Sequence, residues 1–331
     1  MIAVSEAVIL MAGSGSRLGG ADKTLLKPLV PVLGRPLICY TIDALVHAGI
    51  KKANFIVGYQ SGRMTAVVKQ LIPSELEFCF IVNRDWQRQN GVSVFAAANH
   101  MTSPFLLTMS DHLFDESIVD LLIDSSDPDL LNVALDRKLN AIFDLNDAMK
   151  VQTRSQQVVS IGKHLRDYDA IDAGMFVCPF KIFDYLERAK QNRDCSLADG
   201  VRLMAADNQV RGVDIGTAWW QDIDTPETLA SAETQLRSRL PRDDIAMANA
   251  GSDRGNHAEN QARAGDNHPK MKDPVSQAER RKDEKNEDSH VAFGQLKEPP
   301  HKSLAEIKQT RMPDHSEVSR IKRFMQCGRS G

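Results

Sequence analysis

Near its amino terminus the chain reads EAVILMAGSGSRLGG over residues 6–20, an apolar run that passes directly into a glycine-rich segment. The apolar run Glu6–Met11 predicts a strand. Gly13 and Gly15 follow it at once, and glycines there let backbone N–H groups approach a phosphate. Arg17 and Lys27 add positive charge suited to a polyphosphate. The stretch therefore predicts a phosphate-binding loop at the end of the first strand.

Outward from this loop, short apolar runs alternate with helical patterns. The predicted strands of this part are Glu6–Met11, Asn54–Gly58, Glu77–Asn83 and Phe105–Ser110, and the predicted helices are Pro36–Ala48, Arg63–Leu71, Gly91–Asn99 and Glu116–Ile123. Such alternation is typical of a mostly parallel sheet with helices on both faces, the α/β class. Ligands of such sheets bind beyond the carboxyl ends of the strands.

The pattern changes after Leu130, where short strands follow one another with few helices between them. We predict strands at Leu130–Leu135, Ala141–Asp144, Ala148–Thr153, Val158–Gly162, Asp172–Val177 and Val210–Ile215, and helices at Pro179–Arg188, Leu197–Ala206 and Pro226–Arg239. This part predicts a smaller, more antiparallel section that binds a second substrate.

Composition divides the 331 residues unevenly, although the formal net charge is only −3. Residues 241–331 contain ten Leu, Ile, Val or Phe among 91, too few to offset chain entropy by burial. We therefore predict one catalytic domain over residues 1–240 and a charged, disordered tail over residues 241–331. A short basic amphipathic stretch, Glu317–Met325, lies in that tail.

Charge, cysteine content and hydropathy exclude several classes of function. No basic face dominates, because residues 1–240 carry 24 Lys and Arg against 29 Asp and Glu, so nucleic acid is not expected as a partner. The five cysteines form no close pair, which disfavours a disulfide framework or a zinc site. Without a signal peptide or an apolar run long enough for a membrane span, we expect a cytoplasmic protein.

Two known phosphate-binding patterns do not fit the first loop. The dinucleotide fingerprint needs its third glycine at position 18, which is Leu, and no Gly-Lys-Ser/Thr follows for a P-loop. A glycine turn with two solvated cations remains as an alternative. Lys23 is a rival to Lys27 as the phosphate-binding lysine.

Carboxylates follow two of the predicted apolar segments. Asp111 ends a strand, where it either caps a turn or holds a metal, and the residues alone leave both possibilities open. Asp222 and Asp224 point to the same side if their segment is extended. Asp224 has the alternative of capping the helix that begins after Thr225. His112, beside Asp111, is interpreted as a polar neighbour without a catalytic role.

The loop resembles the signature of nucleotidyltransferases that act on sugar phosphates. Further strings resemble the branch of inositol-1-phosphate and phosphocholine cytidylyltransferases and stand in the order of that family: KPL at 27–29, GRPL at 34–37, NGVS at 90–93, LLTMSDH at 106–112, IGKHL at 161–165, DAGMF at 172–176 and WQDIDTP at 220–226. The resemblance runs from residue 7 to about residue 230.

This resemblance implies a three-layer α/β/α Rossmann-like fold with a mixed, mostly parallel sheet, and a reaction between a nucleoside triphosphate, most of all CTP, and a phosphomonoester. It assigns catalytic roles to Arg17, Lys27 and Lys163, nucleotide binding to Ala12, Gly13, Ser14, Gly15, Asn90, Gly91 and Ser93, acceptor binding to Asp172 and Gly174, and Mg²⁺ binding to Asp111 with Asp222 or Asp224. The acceptor phosphate is already mostly dianionic at pH 7, so no general base is needed.

Several functional alternatives stay open at this stage. A phosphocholine cytidylyltransferase or another nucleotide-sugar pyrophosphorylase shares the same machinery, a glycosyltransferase consumes a nucleotide sugar, and a regulatory module only binds the nucleotide. Because Tyr168 and Phe176 are the only aromatic residues between Lys163 and Phe176, a cyclitol or sugar phosphate is favoured over phosphocholine as acceptor. Trp219 and Trp220 are interpreted as packing residues.

Overall fold

A computed structural model of the chain describes residues 4–19, 24–102 and 104–239. The strands are β1 (Glu6–Met11), β2 (Pro31–Val32), β3 (Arg35–Pro36), β4 (Lys52–Val57), β5 (Glu77–Val82), β6 (Phe105–Met109), β7 (His112–Phe114), β8 (Leu131–Asp136), β9 (Lys150–Arg154), β10 (Gln157–Gly162), β11 (Ala170–Cys178), β12 (Val210–Asp214) and β13 (Trp220–Asp222). The helices are α1 (Ser16–Gly19), α2 (Leu37–His47), α3 (Ser61–Val68), α4 (Asn90–Phe95), α5 (Ser117–Asp124), α6 (Ile182–Ala189), α7 (Leu197–Ala206) and α8 (Pro226–Arg239).

Nine of these strands form one mixed sheet in the order β5-β4-β1-β6-β11-β8-β12-β10-β9. Strands β5, β4, β1 and β6 run parallel to one another, whereas β11 is antiparallel to both of its neighbours. At the far side β8 and β12 are parallel, and β10 pairs antiparallel with β12 and β9. The predicted parallel first half and more antiparallel second half are confirmed.

The core lies on both faces of this sheet because successive side chains of a strand point to opposite faces. In β1, Ile9 and Met11 pack with α2, α3 and α5, while Val8 and Leu10 pack with α4, α6 and α7. This confirms the three-layer α/β/α arrangement. A third, smaller cluster, which contains Val32, Leu113 and Ile223, joins the β2–β3 hairpin, the β7–β13 pair and α8.

One predicted strand is wrong. The structure has a 3₁₀ turn at Leu139–Ala141 and irregular backbone across the predicted Ala141–Asp144 strand. Asp144 accepts backbone N–H groups of Asp147 and Ala148 there, which is turn chemistry, and Phe143 is exposed. The residues of this segment are mostly apolar, but they form turns and do not bury one face against the core, so the predicted strand is absent.

The short strands β2, β3 and β7 were not predicted, because two or three residues are too few to show a period of two. None of the helices within the described ranges combines the length and the apolar character of a membrane span. Lys23, the predicted tail over residues 241–331 and its amphipathic stretch lie outside the described residues.

Candidate active site

The sheet brings the glycine-rich loop and Asp111 together. Strands β1 and β6 are parallel neighbours, with Leu10 opposite Met109, so the loop after β1 lies beside the turn after β6. The turn leads into β7, which pairs with β13 so that Asp222 lies opposite His112. The backbone N–H of Ile223 donates to the carbonyl of Asp111 at 2.8 Å, which places both carboxylate-bearing segments at one edge.

Gly15 has a local reason to be glycine. Its φ is +62°, and an added Cβ would lie 2.7 Å from the Cβ of Lys27. Nothing lies within 4 Å of a Cβ added at Gly13, so that glycine keeps open space beside the loop. The close approach at Gly15 lets the Lys27 side chain pass under the loop, where it is buried.

Lys27 joins two carboxylates from different parts of the chain. Its Nζ donates to Oδ2 of Asp111 at 2.7 Å and to Oδ1 of Asp224. Burial opposes the charged form of Lys27, but the two carboxylates outweigh it and raise its pKa. Burial likewise disfavours ionised Asp111, but Lys27 and His112 lower the pKa of that carboxyl well below its usual range. Lys27 and Asp111 are thus both charged at neutral pH.

Arg17 extends this chain of alternating charges across the site. Its Nη2 lies 2.7 Å from Oδ2 of Asp224, and its Nη1 donates to Oδ2 of Asp147 at 3.0 Å. On the other side of Asp147, Nζ of Lys163 donates to Oδ1 at 2.6 Å. All three cations assigned by resemblance therefore belong to one connected network, from Lys163 through Asp147 and Arg17 to Asp224 and Lys27.

Asp224 does not cap helix α8. The hydroxyl of Thr225 accepts the N–H of Thr228 at 3.2 Å, and the Thr228 hydroxyl accepts the N–H groups of Asp224 and Thr225, both at 2.9 Å. These contacts leave the Asp224 carboxylate free to bind Lys27 and Arg17. The capping alternative therefore does not hold for its side chain.

Asp222 differs from the other two carboxylates in having no hydrogen-bonding or ion-pair partner for its side chain among the described residues. Burial raises its pKa, the charge of His112 lowers it, and the nearby carboxylates of Asp224 and Asp111 raise it further. Charges of both signs therefore act on its oxygens, but no cation among the described residues is bonded to them. No group of three or more Asp, Glu, His or Cys side chains in the described part of the chain is arranged to hold a metal by itself.

His112 is packed more tightly than a simple polar neighbour. Its Nδ1 lies 2.8 Å from Oδ1 of Asp111, and its ring stacks on Trp220 with centroids 5.7 Å apart. The ring lies against the Cα of Gly174, whose φ is +78°, and a Cβ there would collide with it. Gly174 therefore serves the position of His112, and His112 orients one oxygen of Asp111.

Two further carboxyl groups, one on β11 and one at the end of β8, lie on the side of the site away from the glycine-rich loop. Asp172 accepts the N–H of Gly174 at 2.8 Å, and burial raises its pKa to about 7, although that hydrogen bond and His112 oppose the shift. Asp136, which sequence reasoning missed, binds the Trp220 indole N–H at 3.0 Å and the Lys138 ammonium at 2.9 Å. A signal was present, since Asp136 ends an apolar strand as Asp111 does.

The segment assigned by resemblance to nucleotide binding, residues 90–93, contributes two polar side chains to the site. Asn90 accepts the N–H of Leu197 at 2.9 Å, and the Ser93 hydroxyl accepts from Asn83 at 3.0 Å, so both are held in place by the scaffold. Gly91 has a packing role instead, because a Cβ there would lie 2.7 Å from the carbonyl oxygen of Cys195.

Two adjoining cavities contain most of the predicted site. The larger, of about 410 Å³, is lined among others by Ala12, Gly13, Arg17, Asn90, Ser93, Asp111, Lys163, Asp172, Gly174, Asp222 and Asp224. The smaller, of about 230 Å³, is lined by Gly13, Gly15, Arg17, Lys27, Asp111 and Asp224 among others. Ser14 and Gly91 line neither cavity. Trp219 and Trp220, expected only to pack, also line the larger one.

The aromatic residues of the larger cavity come from outside the stretch that the sequence argument considered. Phe143, Trp219 and Trp220 line the cavity, whereas Tyr168 and Phe176 do not. Asp147 lines it too, and no strand-end position marked it in the sequence. Phe143, Asp147 and Trp219 come from loops and Trp220 begins β13, and only the tertiary structure brings these segments to the cavity.

Comparison with known proteins identifies a known domain in the first part of the chain. Residues 7–140 match the model of the MobA-like NTP transferase domain. A relative from Thermococcus kodakarensis, described as a bifunctional IPC transferase and DIPP synthase, is 34% identical over 236 residues, 70% of this chain and 50% of that protein. A relative of the same description from Aquifex aeolicus is 29% identical over 235 residues, 70% of this chain and 52% of that one. The chain thus spans about half the length of these curated relatives.

Solved structures show the same fold. The inositol-1-phosphate CTP transferase of T. maritima superimposes with a TM-score of 0.63 at 23% identity, covering 75% of this chain and 96% of that one. A structure described as a glucose-1-phosphate thymidylyltransferase from Bacillus anthracis gives a TM-score of 0.61 at 17% identity, covering 70% and 95%. The resemblance seen in the sequence motifs is confirmed. The chain therefore contains a MobA-like NTP transferase domain, residues 7–140, which includes the glycine-rich loop, Lys27 and Asp111, and its fold is that of the nucleotidyltransferases.

Proposed function

We propose that the protein transfers CMP from CTP to the phosphate of a cyclitol phosphate such as inositol 1-phosphate and releases pyrophosphate. One observation carries this proposal: residues of the glycine-rich loop, Arg17 and Lys163 line one cavity, although they come from distant parts of the chain. A single cavity that combines this loop with two cations suits two phosphate-bearing substrates. The descriptions of the relatives and of the T. maritima structure support CTP and inositol phosphate in particular.

In this reaction an oxygen of the acceptor phosphate attacks the α-phosphorus of CTP. A new P–O bond forms as the bond between the α-phosphorus and the bridging oxygen breaks, and pyrophosphate leaves with that electron pair. No proton must be removed first, because the acceptor is already mostly dianionic at pH 7. The protein supplies positioning and charge: the amides of Gly13–Gly15 hold the triphosphate, Arg17 and Lys27 stabilise the leaving pyrophosphate, and Lys163 holds the acceptor.

Mg²⁺ is the cofactor that we propose, with Asp111 and Asp222 as its protein ligands. Carboxylate oxygens suit this ion, which takes one or two from the protein and the remainder from water and phosphate. Asp222 is preferred to Asp224 as the second ligand because its oxygens contact no cation among the described residues, whereas Asp224 is paired with Lys27 and Arg17. Asp111 is also paired, with Lys27 and His112, and is proposed because it stands where the family motif has its metal-binding aspartate. Seven aspartates against Arg17, Lys138 and Lys163 line the larger cavity, so an added cation also eases the entry of anionic substrates. When bound, Mg²⁺ neutralises charge on the α-phosphate.

The proposed cyclitol acceptor matches the polar wall around Asp172. Ring hydroxyls need hydrogen-bond acceptors, and the carboxyls of Asp172 and Asp136 line that part of the cavity. The cavity also has features that suit the quaternary ammonium of phosphocholine: a surplus of carboxylates and the aromatic residues Phe143, Trp219 and Trp220. Phosphocholine is therefore the acceptor to compare with inositol 1-phosphate.

The direct test is pyrophosphate release by the full chain with CTP, Mg²⁺ and each of inositol 1-phosphate, glucose 1-phosphate and phosphocholine. We expect kcat/KM for inositol 1-phosphate to exceed that for phosphocholine by at least about tenfold, and Lys27→Ala to lower it by about 10²-fold or more. Preference for phosphocholine would replace the acceptor and leave the reaction class unchanged. No acceptor-dependent pyrophosphate with any of the three would contradict the proposed function.

A further inference from the structure

One carboxylate, that of Asp147, bonds both Arg17 and Lys163 in the cavity. Asp147 lies in the segment between the 3₁₀ turn Leu139–Ala141 and strand β9. Its Oδ2 accepts from Arg17 Nη1 at 3.0 Å and its Oδ1 accepts from Lys163 Nζ at 2.6 Å. The side chain thus presents one oxygen to each cation, as a single bound anion would.

The two cations have little else to hold them there. The side chains of Arg17 and Lys163 are 61% and 44% exposed. Arg17 also contacts Asp224, whereas Asp147 is the only carboxylate that pairs with Lys163 within the described residues. These cations come from the loop after β1 and from the turn after β10, so Asp147 is the contact that brings them to one point.

Asp147 is also placed so that it can leave. Its carboxylate is 41% exposed, and hydrogen bonds with Lys163 and then Arg17 lower its pKa although burial opposes them, so it is ionised at neutral pH. Nearby backbone contacts hold the segment without this side chain: the Lys150 ammonium donates to the carbonyls of Asn146 and Ala148 at 3.2 and 3.4 Å. Rotation of the Asp147 side chain toward water therefore requires no unfolding of the segment.

We propose that the phosphate of the acceptor binds between Arg17 and Lys163 in the place now held by the Asp147 carboxylate, which it displaces. This inference rests on the proposed function and adds two points to it: Asp147 as a residue, and a contact of Arg17 with the acceptor phosphate beside its proposed role at the pyrophosphate. A phosphomonoester dianion carries more charge than a carboxylate and offers three oxygens, so it replaces Asp147. Asp147 is a positioning residue: it keeps Arg17 and Lys163 together before the substrate arrives.

Competition from the Asp147 carboxylate also discriminates between anionic ligands. An intramolecular anion competes at a high effective concentration with anything that enters from solution. A singly charged carboxylate of a small metabolite gains little by replacing Asp147, whereas a dianionic phosphate gains a full charge. The device therefore selects phosphomonoesters over the carboxylates that share their size and polarity.

The test measures binding of inorganic phosphate by isothermal titration calorimetry, at fixed ionic strength and without nucleotide. Asp147→Asn should bind phosphate about three- to tenfold more tightly than the unchanged protein, the range that two partly exposed ion pairs support. Asp147→Glu should behave as the unchanged protein. Asp43→Asn is the matched control, because Asp43 is similarly exposed (43%) and pairs with Arg35 outside both cavities.

The outcomes separate this inference from the proposed function. Equal or weaker binding by Asp147→Asn, including no detectable binding by either protein, overturns the role of Asp147, and so does equal tightening in Asp43→Asn. Tighter binding with no pyrophosphate release from CTP by the unchanged protein would contradict the proposed function alone. With an active protein, the KM for the acceptor should fall in Asp147→Asn and the KM for CTP should stay within about twofold. A change confined to the KM for CTP would also overturn the role.

Discussion

Single side chains of opposite charge organise the cavity, and each has a physical reason to be where it is. Lys27 is buried beneath the loop and neutralises Asp111 and Asp224, which would otherwise repel each other at the edge of the sheet. Arg17 and Lys163 are more exposed and share Asp147. Lys27 is thus held by two carboxylates in the folded protein. Arg17 and Lys163 share the Asp147 carboxylate, which we propose a phosphate can replace.

The unpaired state of Asp222 leads to a prediction about magnesium. Asp222→Asn should raise the Mg²⁺ concentration for half-maximal pyrophosphate release by about tenfold, and Asp224→Asn should raise it less. The reason is that Asp224 is paired with Lys27 and Arg17, whereas no cation in the described part of the chain contacts the oxygens of Asp222. The measurement is a Mg²⁺ titration of activity at saturating CTP, repeated as a Mg²⁺-dependent thermal shift without substrates. A larger shift for Asp224→Asn would move the metal ligand to residue 224.

The burial of Asp172 predicts a pH dependence of stability. Its pKa is about 7 in the folded protein, against about 4 in an unfolded chain, so the fold binds more protons between these values. This contribution to the free energy of unfolding is fully present below pH 4 and is lost as the pH rises through 7. Asp172→Asn keeps an oxygen for the Gly174 N–H but does not titrate.

We therefore expect the fall in thermal midpoint between pH 5 and pH 8 to be smaller in Asp172→Asn than in the unchanged protein. The same variant should raise the KM for the acceptor and leave that for CTP nearly unchanged. An identical pH profile would show that Asp172 ionises normally, and an effect on CTP alone would remove it from the acceptor wall.

At the scale of elements, strand β11 supports the site through an irregularity. The register between β11 and β8 shifts between Asp172 and Phe176, and Gly174 lies inside this break with its positive φ. The break allows the His112 ring to lie against the strand, where it stacks on Trp220 and contacts Asp111. A continuous, regular β11 would leave no room for this histidine.

Gly174→Ala tests this arrangement. Positive φ alone costs an alanine about 1–2 kcal/mol of unfolding free energy, and the collision with His112 should add to it. Gly49→Ala is the matched control, because Gly49 has nearly the same φ (+77°) with nothing near an added Cβ. In the His112→Ala, Gly174→Ala double variant, the cost of the alanine should fall to that of the control. The unfolding free energies are measured by chemical denaturation. If Gly174→Ala lowers them equally in the presence and in the absence of the His112 ring, the contact between Gly174 and His112 is contradicted.

At the scale of the whole molecule, one edge of the sheet collects residues that lie far apart in the chain. The loop after β1, the turn after β6 and the β7–β13 pair contribute the side that we propose for the nucleotide. The segments before β9, after β10 and within β11 contribute the part that we propose for the acceptor. All the site residues named above lie within the described residues up to Arg239. The domain boundary near residue 240 stays a prediction from the composition of residues 241–331.

Removal of residues 241–331 is the corresponding prediction. Because this stretch contains few apolar residues, its loss should change kcat/KM by less than about twofold and the thermal midpoint by less than about 2 °C. The comparison requires both proteins at the same concentration and Mg²⁺ level. A midpoint several degrees lower in the shortened chain would show that these residues contribute to the folded domain.

The sequence by itself determined the strand and loop at residues 6–17, the α/β alternation and the exact span of α7 and α8, because period and glycine placement are local properties. Through the family resemblance it also predicted that Lys27 and Asp111 belong to one site with Asp222 or Asp224, and the structure places Lys27 in contact with Asp111 and Asp224. Only the tertiary structure decided which charges are paired. Asp136, Phe143 and Asp147 line the cavity although the sequence had not predicted them there. The carboxylate of Asp224 pairs with Lys27 and does not cap helix α8. These outcomes depend on the distance between segments that are up to 200 residues apart in the chain, which no local pattern contains.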